Sequence, residues 1–289
     1  MFVTAAIAPA KINLTLDIVG TRPDGYHLLE SIFQSVDICD VVLARKRLGR
    51  RITLDAPGCN CPVEKNTAYK AAVAFFAYTG LNKGVHLSVT KRIPQQAGMG
   101  GGSADAAGVL VALNKLFKTN LTTQQLCEIG LTIGADVPFC VLGGTALVKG
   151  IGEKLQILPA LPDCYIVVAQ PDRGISTKEA YAAVDNATIT HRPDNQSAIA
   201  CLFTGDLEGV CAQAVNVFEV ATKLEGVTDI RRRMEAYAPL CSQMTGSGSC
   251  VFAIFDNTEA AGACLADLKQ DYPTATVCQP CAGVVTEKE

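Results

Sequence analysis

From residue 10 to residue 19 apolar and polar positions alternate: Ile12, Leu14, Leu16 and Ile18 fall between Lys11, Asn13, Thr15 and Asp17. Successive side chains of a strand point to opposite faces. The stretch therefore predicts a strand with one buried face, and it puts Lys11 and Asn13 side by side on the other. Residues 20–25 (Gly-Thr-Arg-Pro-Asp-Gly) have the composition of a turn. Residues 26–39 are ordered but ambiguous between strand and helix, and 41–44 and 52–54 read as short strands. An alanine-rich helix is expected over 67–78, ended by Gly80. Val85, Leu87 and Val89 then mark a strand that stops near Pro94. Helical spacing of Ala107, Leu110, Val111 and Asn114 predicts a helix over 104–117. A second helix is expected over 123–133, with Thr122 as N-cap and Gly134 as C-cap, and a strand over 145–148. Further on, strands are expected at 165–169, 250–255 and 274–278. Helices are expected at about 177–184, 206–224, 228–237 and 258–270.

Strands interleaved with helices over 289 residues suit layered α/β or α+β architecture in two units. Pro159 and Pro162 suggest the division, giving 1–158 and 159–289. Composition narrows the class. Hydrophobic residues make up 49% and charged residues 18%, the balance of a packed globular chain. The net charge of −3 argues against a general nucleic-acid binder. The basic runs at Arg45, Lys46, Arg47, Arg50 and Arg51, and at Arg231, Arg232 and Arg233, read as solvated faces. Thirteen scattered cysteines, odd in number, read as small hydrophobes in a reducing compartment rather than as a disulfide framework. Two close pairs, Cys59 with Cys61 and Cys278 with Cys281, lack the second ligand pair that a structural zinc site needs. The N-terminal residues show no basic segment and apolar core of a signal peptide, and no apolar run reaches the ~20 residues of a membrane helix. A cytoplasmic protein without membrane partners is expected.

The strongest chemical signal is Pro94-Gln-Gln-Ala-Gly-Met-Gly-Gly-Gly-Ser-Ala104, set between a strand and a helix. Glycines leave the backbone unshielded, and a following helix N-terminus adds free N–H donors, so such a loop can cradle phosphate. It lacks the Gly-Lys-Ser/Thr of a Walker A loop. It also lacks the third glycine and the acid about 20 residues on that a dinucleotide fingerprint requires. A tightly packed turn without a ligand is the alternative, but four glycines in five positions directly before a helix favour phosphate. Ser103 could cap that helix or reach a phosphate. Asp136 in Gly134-Ala-Asp-Val-Pro-Phe139 could cap a helix or face solvent, and Lys11 could be a surface lysine. Taken with the glycine loop, however, a lysine and an aspartate are what phosphoryl transfer to an alcohol needs. Two further segments stay open. Asp24-Gly-Tyr-His27 is an ordinary turn or a pair of rings suited to a flat base, and Thr245-Gly-Ser-Gly-Ser249 is a tight turn or another wall of a cleft.

The order of these motifs resembles the family of galactokinase, homoserine kinase, mevalonate kinase and phosphomevalonate kinase, the GHMP kinases. The resemblance rests on Ala10-Lys-Ile-Asn-Leu14, on Pro94–Ala104 and on the glycine motif 244–249, and it spans nearly the whole chain. Residues 9–14, 24–27 and 134–139 together mark one branch, whose substrate is an alcohol carrying a cytidine diphosphate. The resemblance implies an α+β fold of two lobes with the active site between them: an ATP-binding and catalytic half at 1–158 and a substrate-side half at 159–289. It implies ATP and Mg2+ as partners, with Lys11 and Asp136 as the catalytic pair, Asp136 acting on the substrate's tertiary 2-hydroxyl. Pro94, Gly98, Met99, Gly100, Gly101, Gly102, Ser103 and Ala104 would hold ATP, with Asn66 and Lys91 also at the nucleotide. Asn13, Tyr26, His27, Tyr181, Thr245 and Gly246 would meet the substrate, His27 hydrogen-bonding the cytosine and Tyr181 stacking on it. Where many members have Gly-Leu-Gly-Ser-Ser this chain has Gly-Met-Gly-Gly-Gly-Ser, one hydroxyl fewer, and no protein ligand is implied for the metal. A sister kinase acting on homoserine or mevalonate would share the loop without using the base pocket, and a non-catalytic metabolite-binding relative would need neither Lys11 nor Asp136.

Overall fold

The computed structural model describes residues 2–59 and 61–286. Its two longest strands come first: β1 (Val3–Thr21) and β2 (His27–Arg47). The ambiguous stretch 26–39 and the short strand at 41–44 are thus one continuous strand. The two pair antiparallel along most of their length, with register shifts at Pro9/Ala10, Asn13/Thr15 and Ile18/Gly20. Such irregularities re-aim side chains locally. The expectation of a single buried face on β1 needs correction. Lys11, Asn13 and Thr15 are as buried as Ile12 and Leu14, because the second half of the chain lies over the polar face.

The first half continues with β3 (Ile52–Asp55), a 3-10 turn (Val63–Lys65), α1 (Thr67–Thr79), β4 (Gly84–Thr90), α2 (Gly101–Phe117), α3 (Thr123–Leu131), α4 (Val137–Leu142), β5 (Thr145–Gly150) and β6 (Lys154–Ile157). Then come β7 (Tyr165–Ala169), α5 (Thr177–Asn186), α6 (Asn195–Thr204), α7 (Leu207–Ala212), α8 (Val217–Thr222), α9 (Glu225–Glu235), β8 (Cys241–Met244), β9 (Val251–Phe255), α10 (Thr258–Leu268), β10 (Thr276–Cys278) and β11 (Val285–Thr286). One sheet runs β11-β1-β2-β4-β3, with β5 on β2 and β6 on β5. The other is β10-β7-β9-β8. The last strand, β11, crosses back to pair with β1. This is a two-lobed α+β architecture, and no helix among the described residues is long and apolar enough to cross a membrane.

Several boundaries differ from the pattern reading for identifiable reasons. α2 starts at Gly101 with Gly100 as N-cap, so Ser103 sits in the first turn and does not cap. α3 has the expected Thr122 N-cap, here part of a capping box with Gln125, but it ends at Leu131 with Thr132 rather than Gly134 as its C-cap. The expected helix 206–224 is two short helices, each begun by its own cap, Asp206 and Asn216. α6 is capped by Asp194, whose carboxylate accepts from the Gln196 and Ser197 N–H groups, and its apolar residues form one unbroken run, 198–203, that leaves no periodic trace. β6, β8 and β11 are two to four residues long, too short to alternate visibly.

α2 packs its small residues on the sheet. A Cβ on Gly108 would lie 2.9 Å from Val42 Cγ2 and 3.2 Å from Ala8 Cβ. We therefore expect Gly108→Val to destabilise the protein by about 1–3 kcal/mol, as overpacking of a filled core does, measured as a lower midpoint in urea unfolding.

Candidate active site

Two cavities share one wall. The larger, a cleft of about 640 Å³, is lined by Lys11, Asn13, Asp136, Tyr181 and Gly246 among others. The smaller, about 400 Å³, is lined by Asn66, Lys91, Pro94 and the glycine loop. Gln96, Gly98, Gly100 and Ser103 line both. The glycine loop therefore separates the two spaces, and a group bound across it would be reachable from either side.

On the cleft side, Lys11 is buried with three partners. Its Nζ donates to Asn13 Oδ1 at 2.7 Å, lies 3.8 Å from Asp136 Oδ2 and sits 4.7 Å from the centre of the Phe33 ring. A buried cation is tolerated only where such partners compensate its lost hydration. Asn13 is held in turn: its Nδ2 donates to Ser31 Oγ and its Oδ1 accepts from Thr245 Oγ1. Thr245 is completely buried and lies behind Asn13 rather than on the cleft wall. Asp136 is the N-cap residue of α4 yet makes no capping bond. Its carboxylate, about one-third exposed, faces Lys11 across the cleft.

Gly98 and Gly100 adopt φ of +74° and +71°, which L side chains rarely reach. Space forbids a side chain as well. A Cβ on Gly98 would lie 2.2 Å from Thr245 O, and one on Gly100 would lie 3.0 Å from Lys11 Cγ. The first N–H groups of any helix lack intrahelical partners, and no side chain caps α2, so the donors at its start are free to meet an anion. Pro94, Met99, Gly101, Gly102 and Ser103 line the smaller cavity with them. Ala104 does not: it is fully buried and its N–H is bonded to Gly100 O. Asn66 lines this cavity while its side chain caps α1, accepting from Ala68 N. Lys91 reaches Asp40 and, at 2.7 Å, Asp105. Burial opposes the charge of Lys91, but the two carboxylates prevail and raise its pKa. Burial pushes the Asp105 carboxyl up to about 7, against the pull of Lys91 and with the help of Asp40.

At the far end of the cleft the aromatic pair is not the expected one. Tyr26 is 61% exposed in its turn, with Arg22 beside its ring, and does not line the cleft. The His27 ring, also outside the cleft lining, stacks on Tyr181, which does line it, with centroids 4.6 Å apart, and its Nε2 lies 2.7 Å from Asp185 Oδ1. Phe218 meets Tyr181 edge-on at 4.9 Å. Phe218, Phe33, Gln96, Asp105 and Asp185 were not singled out by sequence reasoning. Asp105 left one signal, a carboxylate inside an alanine-rich helix start, and Gln96 another, its place within the loop 94–104; Phe218, Phe33 and Asp185 left none. The Cys278 and Cys281 thiols are free, and no cluster of His, Cys, Asp or Glu among the described residues is arranged to hold a metal.

Comparison with known proteins bears on this arrangement. Residues 66–144 match the family described as GHMP kinases N terminal domain, and residues 198–274 match GHMP kinases C terminal. The chain is 42% identical over 268 residues to a 4-diphosphocytidyl-2-C-methyl-D-erythritol kinase of Clostridium tetani, covering 92% of this chain and 95% of the relative. It is 44% identical over 259 residues to the kinase of the same name from Carboxydothermus hydrogenoformans, covering 88% and 89%. A crystal structure of 4-(cytidine 5'-diphospho)-2C-methyl-D-erythritol kinase superimposes with a TM-score of 0.82 at 31% identity, over 96% of this chain and all of that one. A homoserine kinase from Cytophaga hutchinsonii, at 19% identity and a TM-score of 0.78, shares the fold. The chain belongs to the GHMP kinases, and within them to the branch of the 4-diphosphocytidyl-2-C-methyl-D-erythritol kinases. It is a kinase, with ATP as its co-substrate.

The contact between Gly98 and the Thr245 backbone yields a prediction. Gly98→Ala forces the two loops apart, and a shift of about 1 Å in a site costs on the order of 100-fold in rate. We expect that loss in kcat/KM together with a lowered unfolding midpoint, since a left-handed non-glycine residue costs about 1–3 kcal/mol, checked by steady-state kinetics beside a thermal melt.

Proposed function

We propose that this enzyme transfers the γ-phosphate of ATP to the 2-hydroxyl of 4-diphosphocytidyl-2-C-methyl-D-erythritol, in the non-mevalonate (MEP) route to isoprenoid precursors. One observation carries the reading: the glycine loop is the common wall of the two cavities, and the Lys11–Asp136 pair stands on the far side of that wall. ATP in the smaller cavity would direct its phosphates to the loop and the start of α2, and the alcohol in the cleft would lie between Gly100 and Asp136.

Phosphoryl transfer asks the protein mainly for positioning and charge compensation. In this proposal the Asp136 carboxylate orients the 2-hydroxyl and accepts its proton, while Lys11 steadies Asp136 and the charge growing on the transferred group. The N–H groups of the loop hold the phosphate oxygens. Mg2+ would neutralise charge on the phosphates, riding on them with several waters as that ion commonly does. The hydroxyl and N–H groups of the loop suit that arrangement, and no protein ligand is assigned to it. Asn13, Gly246, His27 and Tyr181 form the substrate side, the last two receiving the cytosine. The functional division at 158/159, an ATP-binding and catalytic half before a substrate-side half, belongs to the same reading; apart from β11 the two sheets separate there, while Asn13 and His27 reach the substrate from the first half. Thirteen free thiols suit the cytoplasm.

The test is ADP release from ATP and Mg2+ with 4-diphosphocytidyl-2-C-methyl-D-erythritol, homoserine and mevalonate offered separately. Turnover is expected with the cytidyl compound alone, and turnover with either of the others instead would mean a sister kinase. Asp136→Ala should lower kcat by about 1,000-fold, the scale of general-base loss, with ADP binding unchanged by calorimetry. Retained turnover in that variant would remove Asp136 from the mechanism. His27→Ala should raise KM for the cytidyl substrate about tenfold, the worth of one good hydrogen bond, and leave kcat nearly unaltered. An unchanged KM would exclude His27 from base recognition.

A further inference from the structure

Lys91 does not present a free positive charge to the nucleotide cavity. Its ammonium lies between the carboxylates of Asp40, fully buried, and Asp105, 97% buried by its 3% exposure. Each carboxylate is fixed to a different end of the glycine loop. Asp40, on β2, accepts through its Oδ1 from the N–H groups of Arg92 (2.5 Å) and Ile93 (2.9 Å), just before the loop begins at Pro94. Asp105 lies in the second turn of α2, just after the loop ends. The ammonium also lies 3.5 Å from Gly101 O at the start of that helix. Lys91 thus joins the two ends of a loop whose middle is nearly all glycine and has little stiffness of its own.

We infer that Asp105 is a positioning residue of the nucleotide site: it fixes Lys91 as a staple across the base of the glycine loop, and the staple sets the spacing of the N–H groups that receive the phosphates. The inference rests on the reading of the smaller cavity as the nucleotide site. It also reassigns Lys91, from a direct contact of the nucleotide to a brace behind it. With Asp105 ionised the group carries a net negative charge, and with its carboxyl protonated none, so in either state it is a poor direct partner for a polyphosphate. Asp105 itself has one oxygen, Oδ1, that is buried without a protein partner. A carboxylate kept at that cost beside an anion site is hard to account for by charge, but it follows if its other oxygen is needed to hold Lys91.

Charge and staple predict opposite signs, which makes the inference testable. Removing a negative charge next to bound phosphate should tighten nucleotide binding if charge is what matters. Removing half of the staple should loosen the loop and weaken binding. The measurement is the Kd for ADP by calorimetry, with KM for ATP and kcat, in wild type, Asp105→Ala and Asp105→Asn. The staple predicts that D105A weakens ADP binding and raises KM for ATP about tenfold, with kcat at saturating ATP within about threefold, the worth of one charge-assisted hydrogen bond appearing in binding alone. D105N keeps an oxygen that accepts from Lys91 and should stay within about threefold of wild type in Kd, a rescue a purely electrostatic role would not give. If D105A does not fold, Asp105→Ser, which cannot reach Lys91, takes its place with the same expectation. Unchanged or tighter ADP binding in D105A or D105S overturns the inference, as does D105N binding as weakly as D105A. A wild-type protein that binds no ADP would instead defeat the nucleotide reading of the cavity.

Discussion

Two loops from different sheets meet backbone to backbone, and the active site depends on that contact. The Gly98 backbone lies so close to Thr245 O that no side chain fits between them, and a Cβ on Gly246 would likewise lie only 2.8 Å from Gly98 O. Cys250 N donates to Ala97 O across the same seam. The junction extends along β1. Gln243 Nε2 donates to the carbonyls of Asn13 and Leu14, Leu16 N donates to Val215 O, and Asn216 Nδ2 holds the carbonyls of Met244 and Gly246. Small residues on both sides are therefore a steric requirement: they let the phosphate loop of one lobe be braced by the turn of the other.

The same contact explains the electrostatics of the cleft. By covering β1 it takes Lys11, Asn13 and Thr15 out of water. A buried polar face is costly unless every group finds a partner. Here each does: Lys11 with Asn13 and Asp136, Asn13 with Ser31 and Thr245, Thr15 with Asn195 and the Ile32 N–H. A network satisfied in this way is stiff. A stiff network suits phosphoryl transfer, where fixed donors and a fixed carboxylate do most of the catalytic work.

Much of this was legible where the information is local. The alternation around Lys11, the glycine run, the alanine-rich helix after residue 66 and the helix capped at Thr122 involve neighbours in sequence, and the structure has those elements with shifted ends. What was hidden depends on distant contacts. Nothing around residue 26 or 27 says that the ring stacking on His27 is Tyr181, 154 positions away, rather than adjacent Tyr26. Nothing near Asp40 says that it holds residues 92 and 93. The burial of β1 on both faces is likewise unreadable from its alternation, because the covering layer comes from the other half of the chain. In the region 194–222 short helices start at Asp194, Asp206 and Asn216 and end within ten residues, so caps rather than periodicity define them.

The central claim is that phosphate crosses the loop shared by the two cavities. The crystal structure of the enzyme with a non-hydrolysable ATP analogue and the cytidyl substrate tests it most directly. The account predicts the γ-phosphate against Gly98–Ser103 and the substrate 2-hydroxyl within about 2.6–3.2 Å of the Asp136 carboxylate. Phosphates pointing away from the cleft, or a hydroxyl held out of reach of Asp136 in a complex competent for turnover, would contradict it.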